Sequence, residues 1–268
     1  MTTFHVMAGS STEIEHPEIR SIGVADVFDA LRLGWQDFSA KPSHYVFLCL
    51  IYPIAGVVLA AWSSGANMLP LLYPLASGFA LLGPVAAIGL YEISRRREIG
   101  MNTSWRHAFD VRRSPALPSI IGLAFMLLIL FVVWLLVAQS LYMQLFGDVP
   151  VTSLSAFYNQ IVGTDQGWNL ILVGNAVGFV FAAIVLATVV VSFPLLLDRD
   201  VGAVAAVETS VRATLANPVP VAVWGLIVAA CLVIGSIPVF VGLAVIMPVL
   251  GHATWHLYRK LVVAPEAK

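Results

Sequence analysis

The chain has 268 residues, 59% of them hydrophobic and only 11% charged, with a mean hydropathy of +0.90; this lies well outside the composition of a soluble domain. A net charge of −1 and a pI near 6.6 exclude the basic excess of a nucleic-acid-binding protein. The two cysteines, Cys49 and Cys231, sit in apolar runs without the spacing of a zinc site or redox dithiol, so no disulfide is expected.

Residues 1–20 carry Glu13, Glu15 and Glu18 but neither the basic start nor the apolar core of a secretory signal, and are expected to form a mobile cytoplasmic tail. From Val24 to Ala40 the residues Val24, Val27, Phe28, Leu31, Trp35 and Phe38 recur at helical spacing, with Asp26, Asp29, Arg32, Gln36 and Asp37 on the other face. This amphipathic helix is too polar to span. It either lies in the interface, with Trp35 and Phe38 at headgroup depth, or packs on other cytoplasmic pieces of the same chain.

After Pro42, His44 to Trp62 reaches the length needed to cross about 30 Å of hydrocarbon. An uncharged turn at 63–67 leads to a returning span, Met68 to Tyr91, which ends at Glu92 and Arg95-Arg96-Arg97. A second short amphipathic segment places Trp105, Ala108 and Phe109 on one face. Leu117 to Ser140 forms the third span, with Leu141 to Phe146 extending past the hydrocarbon. The stretch 147–167 has two acids and no Lys or Arg. Trp168 to Leu197 makes the fourth span and ends at Asp198-Arg199-Asp200. A third amphipathic stretch has Val204, Val207, Val211 and Leu215 on one face and Glu208 and Arg212 on another. Val219 to Ile234 and Val239 to Trp255 close the chain as a tight hairpin.

All fourteen Lys and Arg residues fall in the N-terminal tail and first helix, the 92–116 loop, the 198–217 loop or the C-terminal tail. By the positive-inside rule these segments and both termini are cytoplasmic, which agrees with six spans. The expected fold is therefore all-α and polytopic: six transmembrane helices as three hairpins, each preceded by a cytoplasmic amphipathic helix. Residues 21–262 form a single membrane domain and 263–268 a short tail. The unit repeats with prolines at Pro42, Pro118 and Pro218, and at Pro84, Pro194 and Pro248 in the returning spans, where each removes an intrahelical hydrogen bond and should kink its helix. Gly78, Gly83, Gly89, Gly174 and Gly178 allow close helix contact.

Polar groups that can carry chemistry are few. His252 and His256 share a helical face at a spacing that can hold a metal, but Ala253 stands where a zinc protease has its glutamate, and interfacial hydrogen bonding is the competing reading. No Asp, Glu, Lys or Arg lies in mid-span, as ion-coupled transporters require. Glu92 and Asp198 are expected to pair with Arg95, Arg96 or Arg199, and Asn175 to bond across helices. Arg95, Arg96, Arg97, Arg106, Arg112 and Arg113, beside aromatic residues, can hold anionic lipid headgroups, or serve topology alone.

The combination LRLGWQDF at 31–38, FALLGP at 79–84, GLYEISRR at 89–96, PLLLDRD at 194–200 and GHATWHLYR at 251–259 resembles a bacterial family of integral membrane proteins of unknown function. The resemblance covers roughly Arg20 to Val262. It implies a six-span inner-membrane protein and no established activity. Some members are labelled cytochrome oxidases, yet haem and copper ligation needs histidines inside the spans, and here they sit at cytoplasmic ends or in the tail. The expectation is a non-enzymatic protein without cofactor, metal or nucleic acid. Its expected partners are the lipid bilayer, anionic lipid headgroups and another membrane protein or complex. Any accessible cavity is expected in the cytoplasmic half near Glu92, Asp198 and His252. A small-solute permease is the alternative, and a metal- or haem-binding protein using His252 and His256 a weaker one.

Overall fold

A computed structural model describes residues 17–42, 69–147 and 153–264, with isolated positions at 6, 50, 54, 56–58 and 151. Most of the first expected span and most of the tail at 1–20 lie outside the described residues. What is described is all-helical: α1 (Val24–Ala40), α2 (Leu72–Leu81), α3 (Gly83–Ala86), α4 (Ile88–Glu98), α5 (Leu117–Phe146), α6 (Leu154–Val162), α7 (Asp165–Val189), α8 (Ser192–Asp198), α9 (Gly202–Ala216), α10 (Pro218–Ser236) and α11 (Leu243–Leu261). Two 3-10 segments, Leu69–Leu71 and Trp105–Arg113, precede α2 and α5. Among the described residues β pairing is confined to one bridge, Ile19 with Val262.

Among the described residues three stretches are long and apolar enough to cross a membrane: Leu117–Phe146, Asp165–Asp198 and Pro218–Ser236. At 1.5 Å per residue the 30-residue α5 measures roughly 45 Å, so it runs past the hydrocarbon as its sequence suggests. The expected second span is broken at Leu82 and Ala87 around Pro84, and the fourth is interrupted at 190–191, a turn ahead of Pro194. Pro248 sits inside an uninterrupted helix. The 190–191 break is re-satisfied locally: the Val191 N–H reaches Ser210 Oγ at 3.4 Å, and the Ser192 hydroxyl donates to the carbonyls of Thr188 and Ala206.

The chain packs as two units. The first takes residues 1–53, 83–125 and 186–268; the second takes 54–82 and 126–185. In the first, α11 is the central helix. It packs against α1, α4, α8 and α10, and buries Trp255, Leu257, Tyr258 and Leu261 almost completely. Its closest approach is to α1: a Cβ on Gly34 would stand 2.5–2.7 Å from the N, Cα and Cβ of Ala253, so only glycine permits this crossing. The chain before α1 is held by the chain after α11, through Arg20 N–H to Leu261 O (2.8 Å) and Val263 N–H to Glu18 O (3.0 Å). Asn217 adds a clasp, accepting from Ile22 N–H and donating to Arg20 O. Residues 17–20, expected in the mobile tail, are therefore tied into the fold.

In the second unit Trp134 is the buried anchor. Its indole N–H donates to Pro74 O at 2.9 Å, and its ring packs near Phe181. Gly78 and Gly178 make room for it, since a Cβ at either would lie within 3.1 Å of the Trp134 ring. Gly89 similarly admits Ala108 in the first unit, and a Cβ on Gly83 would stand in ordinary contact with the Met247 methyl at 3.6 Å, whereas Gly174 faces no close neighbour, contrary to expectation. Leu69, Tyr142 and Val151 form a smaller core with Phe146, Phe157 and Leu170.

Candidate functional site

The stripe Val27, Ala30, Gly34, Asp37 and Phe38 is the buried face of α1. Its small residues draw α1 onto α11, and Asp37 is thereby carried into protein next to α4 and α11. One carboxylate then gathers three partners. Its Oδ2 accepts from the Ser94 hydroxyl at 2.7 Å and from His256 Nε2–H at 2.9 Å, and its Oδ1 faces Arg97 Nε at 3.1 Å. The single proton of Ser94 goes to Asp37, so the Nδ1–H of His252 is the donor to Ser94 Oγ at 2.8 Å. Burial pushes the Asp37 carboxyl up, but hydrogen bonds from His256 and Ser94 and the nearby positive charge outweigh it and hold it below its ordinary value.

Around this cluster lie three further ion-pair groups in the same unit. Buried Glu92 takes Arg95 in a bidentate pair (2.8 and 3.0 Å) and Arg96 at 2.8 Å, and Arg96 continues to Asp110 at 2.8 Å, which His107 also contacts. The hydrogen bond to Glu92 raises the Arg95 pKa. Asp198 accepts from Tyr258 at 2.5 Å and from Arg259 at 3.3 Å, with Arg199 Nε at 3.7 Å. Burial and the Asp198 carboxylate both push the Tyr258 phenol up. Arg259 also pairs with Glu98, which the Trp255 indole N–H reaches at 2.9 Å. Lys260 joins Asp29 and Asp26 of α1 at 2.8 and 3.4 Å; its hydrogen bond and that of Arg32 bring Asp29 down to about 2.

Chemically the Asp37 cluster is a clamp. A hydroxyl nucleophile needs an open side for substrate as well as a base, whereas Ser94 is 1% exposed and His252 is fully buried. His252 and His256 do share a face, and each commits a ring nitrogen, to Ser94 and Asp37 respectively. Among the described residues no group of three His, Cys, Asp or Glu could hold a metal.

The six arginines divide into two sets of three. Arg95, Arg96 and Arg97 answer Glu92, Asp110 and Asp37. Arg106 lies over the Trp105 ring at 5.9 Å and Arg112 over Phe109 at 5.6 Å, with no acid in ion-pair range of either among the described residues; Arg113, largely exposed, is 4.0 Å from Asp110. The aromatic expectation also divides: Trp35 is 53% exposed, while Phe38 is buried and packs on it at 5.6 Å. Phe28, one turn pair before Trp35, is the second exposed aromatic of α1. On α9 the buried face is Ala205, Ala206, Thr209, Ser210 and Ala213, leaving Val204 and Leu215 exposed and Val207 and Val211 half-buried.

Glu92, Asp198 and His252, where a cavity is expected, are engaged in hydrogen bonds and ion pairs of their own. A cavity of about 380 Å³ lies within the second unit, between α2, α5, α6 and α7, and none of these three residues lines it. Sequence reading missed Asp37 and Ser94 as a pair. The signal was the 27-30-34-37 stripe, in which small residues and one acid share a face.

Among the described residues the fold is all-helical and three helices are long and apolar enough to cross a membrane, which defines an integral membrane protein. Residues 72–198, just under half of the chain, match the model of a family described as "Predicted integral membrane protein (DUF2189)", the kind of family that the sequence resembles. No curated relative and no solved structure matches the chain.

Proposed function

We propose that the chain is a six-span protein of the bacterial inner membrane, with both termini cytoplasmic and three hairpins each led by an interfacial helix. In this reading it performs no reaction and binds anionic lipid headgroups or a partner membrane protein. The observation that carries it is the orientation of the surface segments. In Trp105–Arg113 and α9 small or polar residues pack inward, as they do in α1 together with Val27 and Phe38, while Phe28, Trp35, Phe109, Val204 and Leu215 point out. Bulky apolar side chains turned away from their own core suit the headgroup boundary. Arg106, Arg112 and Arg113 add positive charge there, about 1 kcal/mol each beside an anionic leaflet.

Reporter fusions after Ser64 and Gly163 should read periplasm, and those after Gly100, Asp200 and Lys268 cytoplasm; a cytoplasmic signal after Gly163 overturns the six-span count. For the lipid reading, short-chain phosphatidylglycerol added to the detergent-solubilised protein should raise its melting temperature more than phosphatidylcholine does. Changing Arg106, Arg112 and Arg113 to Gln should abolish the difference. Equal stabilisation by both lipids refutes the headgroup reading.

A permease reading has one observation in its favour, the cavity reached by Asn175. Its lining is otherwise chiefly apolar, which suits a polar solute poorly. Saturable flux through reconstituted protein, lost on altering Asn175, would make it the better account.

A further inference from the structure

We infer that the cavity of the second unit holds the acyl chain of a membrane phospholipid. Its volume, about 380 Å³, lies at the lower end of the range of small-ligand sites. Along α5 the wall runs from Trp134 to Tyr142, eight residues or roughly 12 Å of helix, which accommodates one chain and not a whole lipid. Among the described residues no charged side chain lines it. The polar atoms of the wall are spent on one another or on backbone: Tyr73 donates to Asn175 Oδ1 at 2.7 Å and Asn175 Nδ2 to Ile171 O at 2.7 Å, both at its exposed side, and the buried Trp134 indole reaches Pro74 O. Nothing there selects a charged or strongly polar solute.

An apolar hollow holds water poorly, and an empty one forfeits the dispersion contacts of its walls. Two of the walls, α5 and α7, belong to stretches able to cross a membrane, so the medium that reaches the cavity is hydrocarbon. The looser polar pair, Tyr142 with Gln160 at 3.4 Å, stands at the Gly147 end of α5, where the ester end of a lipid can displace it. Space is left on α7 itself, for a Cβ on Gly174 would meet nothing within 4 Å. The inference goes beyond the surface reading and uses none of its residues.

The test is the lipid retained by the full chain after extensive washing in mild detergent, extracted and measured per mole of protein. Wild type should keep about one phospholipid. Gly174→Phe, which fills the cavity from α7, should lose at least three-quarters of it while retaining a cooperative melt, and Ala138→Leu on the opposite wall should do the same. Leu172→Phe, on the exposed side of α7, should keep it. Wild type washed to well below half an equivalent, retention by both filling variants, or a prenyl lipid in place of phospholipid would each overturn the proposal. The Arg106, Arg112 and Arg113 variants should leave this lipid in place, so failure here and failure of the headgroup reading remain separable.

Discussion

Replacing Asp37 by Ala removes the one carboxylate that Ser94, His256 and Arg97 share. Arg97 is 41% exposed in its side chain, and water can take over its solvation, so that arm is worth at most about 1 kcal/mol. Ser94 and His256 are much less exposed and would be left facing a void, and breaking a buried ionic arrangement from one side typically costs about 3–5 kcal/mol. At 2–4 °C per kcal/mol for a chain of this size, the melting temperature should fall by roughly 10 °C, whereas Arg97→Ala should cost about 1 kcal/mol. Thermal unfolding in detergent, followed by near-ultraviolet circular dichroism, reads both. A pH series adds a sign. The folded carboxyl lies below its ordinary value, so the unfolded chain takes up its proton first on acidification. The stabilisation is then complete above the unfolded value of about 3.9 and disappears as pH falls through the folded one. The gap between wild type and Asp37→Asn should therefore narrow below about pH 4. A loss under 1 kcal/mol for Asp37→Ala, a larger loss for Arg97→Ala, or a gap that widens in acid refutes the clamp.

Gly34→Ala should destabilise by about 2–3 kcal/mol, because its Cβ meets the Ala253 backbone; Gly174→Ala, with open space, should be neutral or slightly stabilising, and equal effects would contradict the α1–α11 approach. Phe28→Ser with Trp35→Ser should loosen attachment of α1 to bilayers, read by labelling around Asp29, at little cost to the melt. Phe38→Ala, buried, should cost about 3–5 kcal/mol; the reverse ranking defeats the assignment of faces. Changing His252 and His256 to Ala should leave metal content unchanged while lowering stability, and one metal equivalent lost in the double variant would restore the metal-site reading.

Much of the helical layout is legible in the sequence because an apolar run without charge has one use. Leu117–Phe146, Asp165–Asp198 and Pro218–Ser236 stand within a few residues of their expected spans. The pairing of Glu92 with Arg95 and Arg96 follows from helical spacing, and that of Asp198 with Arg199 from their adjacency at a helix end. What periodicity cannot supply is which face of α1 turns inward. Its apolar stripe includes Phe28 and Trp35, yet the inward face follows the small residues Ala30 and Gly34, since these allow α11 to approach. The contact that decides this comes from Ala253, far along the chain. The cavity escaped for a related reason: charged residues suggest polar space, but these are committed to ion pairs, and the cavity in the second unit is lined by small residues such as Ala138 and Gly174 that carry no such signal.

The bond between Asp37 and His256 joins residues 219 positions apart. At a synthesis rate of about 5–20 residues per second, roughly 10–40 s separate the emergence of the two ends. Throughout that interval Asp37 lacks His256, and Gly34 lacks the Ala253 backbone that it admits. A chain cut short before α11 would never gain either. The last helix thus acts as the closing stitch, and a truncated product is chemically distinguishable from a finished one at its very first helix.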